Sequence, residues 1–219
     1  MRIFHALWIT LLISVLPNLA AAQTASYSLN STAVSQFGTG PYGSVTLTQS
    51  FNDVLVNVSL RNDLNFLSTG NPNSHSIFTF NLSGAAASDI TDITFANGLN
   101  GKFGVAGPAG NSPFGDFSYG IVCTSSCTSG GSGGGYVDPL HFTVHNATIS
   151  EFSHLSSGGT GAYFAADVLN LSGRTGAIGA TVAAVPEPES YAMLLAGLGL
   201  IGAVGRRRNA KPMFNQHSG

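Results

Sequence analysis

The chain has 219 residues, 43% of them hydrophobic and only 8% charged, with a formal net charge of −2. That charged fraction lies far below the roughly 25% of ordinary soluble domains, yet the apolar share is large enough to build a core, which excludes a disordered chain. Between Gln23 and Ala184 eight acids face three bases, a net of −5, so a nucleic-acid-binding surface, which needs clustered Lys and Arg, is excluded too.

The first 22 residues have the three parts of a secretory signal peptide in order. Arg2 supplies the positive charge, residues 3–16 are mostly apolar, and Pro17-Asn18 breaks the run. Ala20-Ala21-Ala22 then places small residues for cleavage before Gln23. The expectation is an exported domain spanning residues 23–184, about the size of one domain.

Within that domain, period-two patterns alternate with turn residues. Residues 45–51 alternate apolar with polar, Asn52-Asp53 is a turn signal, and Val54, Val56, Val58 and Leu60 share one face of the next run. Together they predict a hairpin. Further strands are expected at residues 77–82, 90–95, 140–144, 147–152, 162–169 and 177–182, with a short helix inside residues 83–92 because Ala85-Ala86-Ala87 favours it. Gly-rich stretches at residues 98–119 and 128–136 read as long loops. The fold class is all-β, a β-sandwich or jelly-roll-like domain.

Export decides how the two cysteines read. Cys123 and Cys127 are the only ones, in a Cys-x3-Cys spacing followed by a Gly/Ser tract. In an oxidising compartment a disulfide is the expectation. A zinc site would need about four ligands, and no His lies near them in sequence. His141 and His145 would share a strand face about 13 Å apart at 3.3 Å per residue. That is too far for two ligands of one zinc, even with Glu151 and His154 nearby. Asp53, Asp63, Asp89 and Asp92 have no EF-hand spacing, and Asp89 and Asp92 are expected to cap turns or a helix start. No metal or cofactor is expected, and no catalytic constellation appears. Five Asn-x-Ser/Thr matches, at Asn30, Asn57, Asn81, Asn146 and Asn170, are what chance gives in so Asn- and Ser-rich a chain.

The C-terminal end is the most specific part. Pro186-Glu187-Pro188 forms a stiff acidic lead-in, since each proline fixes φ and removes a donor. An uncharged Gly/Leu/Ala-rich run over residues 191–205 follows, and Arg206, Arg207 and Arg208 close it at once. By the positive-inside rule the arginines stay cytoplasmic and the glutamates stay outside. Residues 210–219 would then be a cytoplasmic tail. Residues 192–205 would rise about 21 Å as a helix against roughly 30 Å of hydrocarbon. Snorkelling of Arg206 and an interfacial Tyr191 extend that span, so a membrane helix is expected.

Proline-acid-proline, apolar glycine-rich helix and arginine cluster, over residues 185–209, together resemble the PEP-CTERM sorting domain of Gram-negative bacteria. The resemblance implies recognition and processing by an exosortase, with Pro186, Glu187 and Pro188 as the sorting motif. It also implies a membrane-anchored precursor on the way to the cell envelope or an exopolysaccharide matrix. It covers the tail alone and leaves the role of residues 23–184 open. The leading expectation for them is a non-enzymatic envelope or matrix protein; the alternative is a carbohydrate-binding module. With Trp8 in the signal peptide, Tyr42, Tyr119, Tyr136 and Tyr163 would be its stacking candidates.

Overall fold

The computed structural model describes residues 23–69, 73, 75–96, 102–124, 135, 139–182, 185–186, 195, 197–199 and 201. Residues 1–22, the expected signal peptide, lie outside it. In chain order the strands are β1 (Thr24–Leu29), β2 (Ser31–Thr32), β3 (Gly43–Ser50), β4 (Asp53–Leu60) and β5 (Leu64–Phe66). There follow β6 (Phe78–Phe80), β7 (Ile90–Phe95), β8 (Phe103–Ala106), β9 (Ala109–Asn111) and β10 (Gly115–Phe117). The last are β11 (Tyr119–Cys123), β12 (Leu140–Val144), β13 (Phe164–Asn170), β14 (Thr175–Ala180) and β15 (Val185–Pro186).

The structure is all-β, apart from three short 3-10 turns and the few helical residues of the tail. One antiparallel sheet has the order β15-β1-β3-β4-β12-β7; a second runs β2-β14-β13-β6-β11-β8, with β5 also paired to β13. Alternation explains the first sheet. Val45 and Leu47 of β3, Val54, Val56 and Val58 of β4, and Leu140, Phe142 and Val144 of β12 are buried, while the residues between them face outward.

These inward faces meet the second sheet in one apolar cluster. Phe142 of the first sheet lies 5.2 Å from Phe80 and 6.1 Å from Phe78 of the second, ring centre to ring centre. Tyr27 packs edge-on against Phe164 at 4.8 Å. Each fully buried Phe contributes about 1.5–3 kcal/mol over its exposed state, and paired rings add about 0.5–1.5 kcal/mol per pair.

Strand β13 departs from alternation: six of its seven residues are buried. Its inward Phe164, Ala166 and Val168 join the main core, while Ala165 joins a second small cluster with Phe114, Phe117, Ala162 and Ala177 on the other face. The β9–β10 pair supplies that cover. Gly179, opposite Ala165 on β14, makes room for the ring of Phe114: a Cβ there would stand 2.7 Å from it.

Several sequence expectations are corrected. Residues 147–152 form no strand; Ile149–Phe152 is a 3-10 turn, because Thr148 and Glu151 form a capping box that starts a helical turn. The helix expected inside residues 83–92 shrinks to a turn at Ala87–Asp89, after which the backbone becomes β7. The Gly-rich stretch 98–119 contains β8, β9 and β10, its glycines permitting close backbone approach rather than a free loop. The hairpin β3–β4 forms, but its central residues are Phe51 and Asn52, one position earlier than the Asn-Asp signal, since Ser50 pairs with Asp53.

Candidate functional site

The start of the sorting segment is part of the fold. Val185 pairs with Ser26 and Pro186 with Ala25, making β15 the edge of the first sheet beside β1. An edge is where a strand tolerates proline, whose missing N–H interrupts no inner ladder. The chain there runs toward the N-terminal end of β1. Glu187, Pro188, Arg206, Arg207 and Arg208 lie outside the described residues, as does the tail 210–219. Within the expected membrane segment Leu195, Gly197, Leu198, Gly199 and Ile201 are helical, and Leu195, Leu198 and Ile201 are exposed. Among the described residues no helix is long and apolar enough to cross a membrane.

Cys123 ends β11 opposite Phe103 and is not a free thiol. Cys127, its expected partner, lies outside the described residues.

The histidines are separated by the fold. His141 points outward from β12 between Asn57 and Thr94. His145, just past β12, sits between two strands: Nδ1 is 3.1 Å from Asp53 Oδ2, and Nε2 is 2.9 Å from Thr91 Oγ1. Thr91 in turn donates to Asp92 Oδ2 at 3.1 Å. The cluster ties the β3–β4 tip to β7, where Asp92 takes a positive φ of 55° and the β7–β12 register shifts. Glu151 serves its capping box, and His154 offers its backbone carbonyl to Asn81. Among the described residues no three metal-ligating side chains converge.

Two further carboxylates, those of Asp63 and Asp89, have structural roles. Asp63 is chelated by Arg61, whose guanidinium holds its carboxyl below the ordinary range; the same hydrogen bond raises Arg61. Asp89 accepts from the Ala86 N–H at 2.8 Å, the capping role read from the sequence.

The described tyrosines among these candidates are engaged rather than presented for stacking. Tyr42 is buried, donates to Gly38 O at 2.7 Å and lies under Arg61. Tyr119 donates to Ala85 O at 3.0 Å, and Tyr163 packs on Tyr27. Tyr136 lies outside the described residues.

Sequence reasoning missed Asp167. It is 1% exposed in the middle of β13, and its Oδ2 has no hydrogen-bond partner. Burial pushes its carboxyl up to about 7, against a smaller opposing pull from the Val168 N–H. The only signal was an acid inside an apolar run.

Taken together, the chain is an all-β domain with a proline-led tail leaving the edge of one sheet. Residues 184–208 match the family model of the PEP-CTERM protein-sorting motif. The chain carries that motif, which marks a protein exported to the Gram-negative cell envelope and sorted by an exosortase. No curated protein and no solved structure matches it.

Proposed function

We propose that this is a non-enzymatic protein of the cell envelope or exopolysaccharide matrix, held briefly in the inner membrane by its C-terminal segment before exosortase processing. The observation that carries the reading is the sorting motif at residues 184–208, of which Val185 and Pro186 pair with the first strand of the domain. The two sheets are read as a β-sandwich, a fold suited to standing outside the cell. A Cys123–Cys127 disulfide fits that oxidising setting. The run at residues 191–205 is read as the membrane helix, with Arg206, Arg207 and Arg208 on its cytoplasmic side. The scarcity of charge between Gln23 and Ala184 and the structural use of Asp53, Asp63, Asp89 and His145 support a role in matrix building.

The test replaces Pro186, Glu187 and Pro188 by alanine in the parent organism. The expected result is unprocessed precursor retained in the membrane fraction. Processing equal to that of the parent, judged by gel mobility and fractionation, would refute the sorting assignment.

A further inference from the structure

One apolar side chain stands apart from the rest. Every other described phenylalanine is buried, whereas Phe51, at the tip of the β3–β4 hairpin, is 98% exposed. Its φ is 54°, at the first of the two central turn residues, where a hairpin with positive φ ordinarily places Gly. A bulky ring is thus kept at a position that both water and backbone sterics disfavour. The turn itself is fixed by Gln49, which donates from Nε2 to Phe51 O at 3.0 Å and to Ala147 O at 2.9 Å.

Strand directions bring this tip alongside the path of the tail. β15 is antiparallel to β1 and β1 to β3, so β15 and β3 run the same way, toward residues 51 and 52. Pro186 is level with Ala25 and, across β1, with Leu47. Phe51 is four residues beyond Leu47, about 13 Å of strand. The expected membrane segment begins at Tyr191, five residues after Pro186, and five residues span at most about 18 Å. With the tail in a bilayer, the hydrocarbon edge therefore lies at most about 5 Å beyond the tip. The headgroup layer outside that edge is itself about 5–7 Å thick.

We infer that the β3–β4 tip is a membrane-contact site, with the Phe51 ring seated in the headgroup layer of the bilayer that holds the tail. That contact presupposes the membrane helix at residues 191–205 proposed above. The tether is too short for the tip to stand clear of lipid. An exposed ring suits this layer, where apolar side chains bury at the acyl boundary. Charge contributes little. Neither residues 49–53 nor the adjoining residues 145–150 include a Lys or Arg, and their one acid, Asp53, has Oδ2 3.1 Å from His145 Nδ1. The ring makes the contact, and a zwitterionic lipid surface suffices for it.

The precursor, tail intact, is made in cells without an exosortase and reconstituted in phosphatidylcholine vesicles. All forms carry Trp8→Phe, which removes the one tryptophan of the chain. Phe51→Trp then reports on the tip. Leu171→Trp is the comparison: Leu171 is 77% exposed, and its N–H is bonded to Asp63 O, past the far end of β4. Flotation shows that each form is anchored, and circular dichroism melting shows that each is folded. Asn52→Trp, at the same exposed tip, takes the place of Phe51→Trp if that form melts early. The expected result is blue-shifted emission at the tip, lost when lipids spin-labelled near the headgroup are added, with neither change at position 171. Equal quenching at both positions, or unquenched emission from the tip of anchored protein, overturns the inference. A blue shift without quenching means that protein covers the ring, and overturns it too. Failure to float refutes the membrane helix itself, and the contact with it, so the two failures are told apart.

Discussion

Asp167 offers the sharpest quantitative check on the fold. Its carboxyl is 1% exposed, one oxygen has no partner, and burial lifts it from an ordinary 3.8 to about 7. A carboxyl raised on folding binds its proton more tightly in the folded state. The group therefore costs nothing below about pH 4, and stability falls as pH rises, until the loss levels off above pH 7. At about 1.36 kcal/mol per pH unit over that window, the full loss is at most about 4 kcal/mol. Asp167→Asn keeps the shape and removes the titration. Parent and variant should match near pH 4, and the variant should become progressively more stable toward pH 8. With a urea slope of about 1–3 kcal/mol/M, the full loss of about 4 kcal/mol would raise the midpoint at pH 8 by roughly 1–4 M. Urea denaturation followed by circular dichroism at pH 4, 6 and 8 measures this. Taking the difference between the two proteins cancels every other titrating group. A difference that is flat with pH, or largest at pH 4, would refute the reasoning.

Other perturbations have equally definite outcomes. Phe51 is 98% exposed at the β3–β4 tip with φ of 54°, a left-handed conformation costing roughly 1–2 kcal/mol for a bulky residue. Phe51→Gly or Phe51→Asn should raise the melting temperature, and an unchanged or lower one would show that the ring is held by something. Gly179→Ala, with its Cβ driven against Phe114, should cost about 1–3 kcal/mol in denaturant unfolding. Cys123 should react with maleimide only after reduction of the unfolded chain; labelling without reductant would exclude the disulfide.

The sequence was most readable where one face of a strand is buried and the other wet. The β3–β4 hairpin is the clear case: Val45, Leu47, Val54, Val56 and Val58 all point inward, as their spacing demands. It was least readable where cover comes from elsewhere. β13 is buried on both faces because Phe114 and Phe117 arrive from a glycine-rich stretch, and no local pattern announces that. Residues 147–152 alternate like a strand, yet the Thr148–Glu151 box turns them into a 3-10 turn. β1 and β5 were missed: β1 alternates, with Ala25, Tyr27 and Leu29 inward, but its outer residues are small serines and a threonine, and β5 is three residues long. Of the candidate sites, the tail motif was legible because it is linear. The His145–Asp53–Thr91 contact joins three distant segments and exists only once the sheet has formed.

The antiparallel pairing of β15 with β1 also sets an orientation. Pro186 runs back toward Thr24, and Gln23 O accepts from the Gln49 N–H beside the β3–β4 tip. The leading strand, the departing tail and the Phe51 hairpin therefore share one pole of the domain. A substitution at that pole therefore bears on the start of the sorting segment and on the β3–β4 hairpin together.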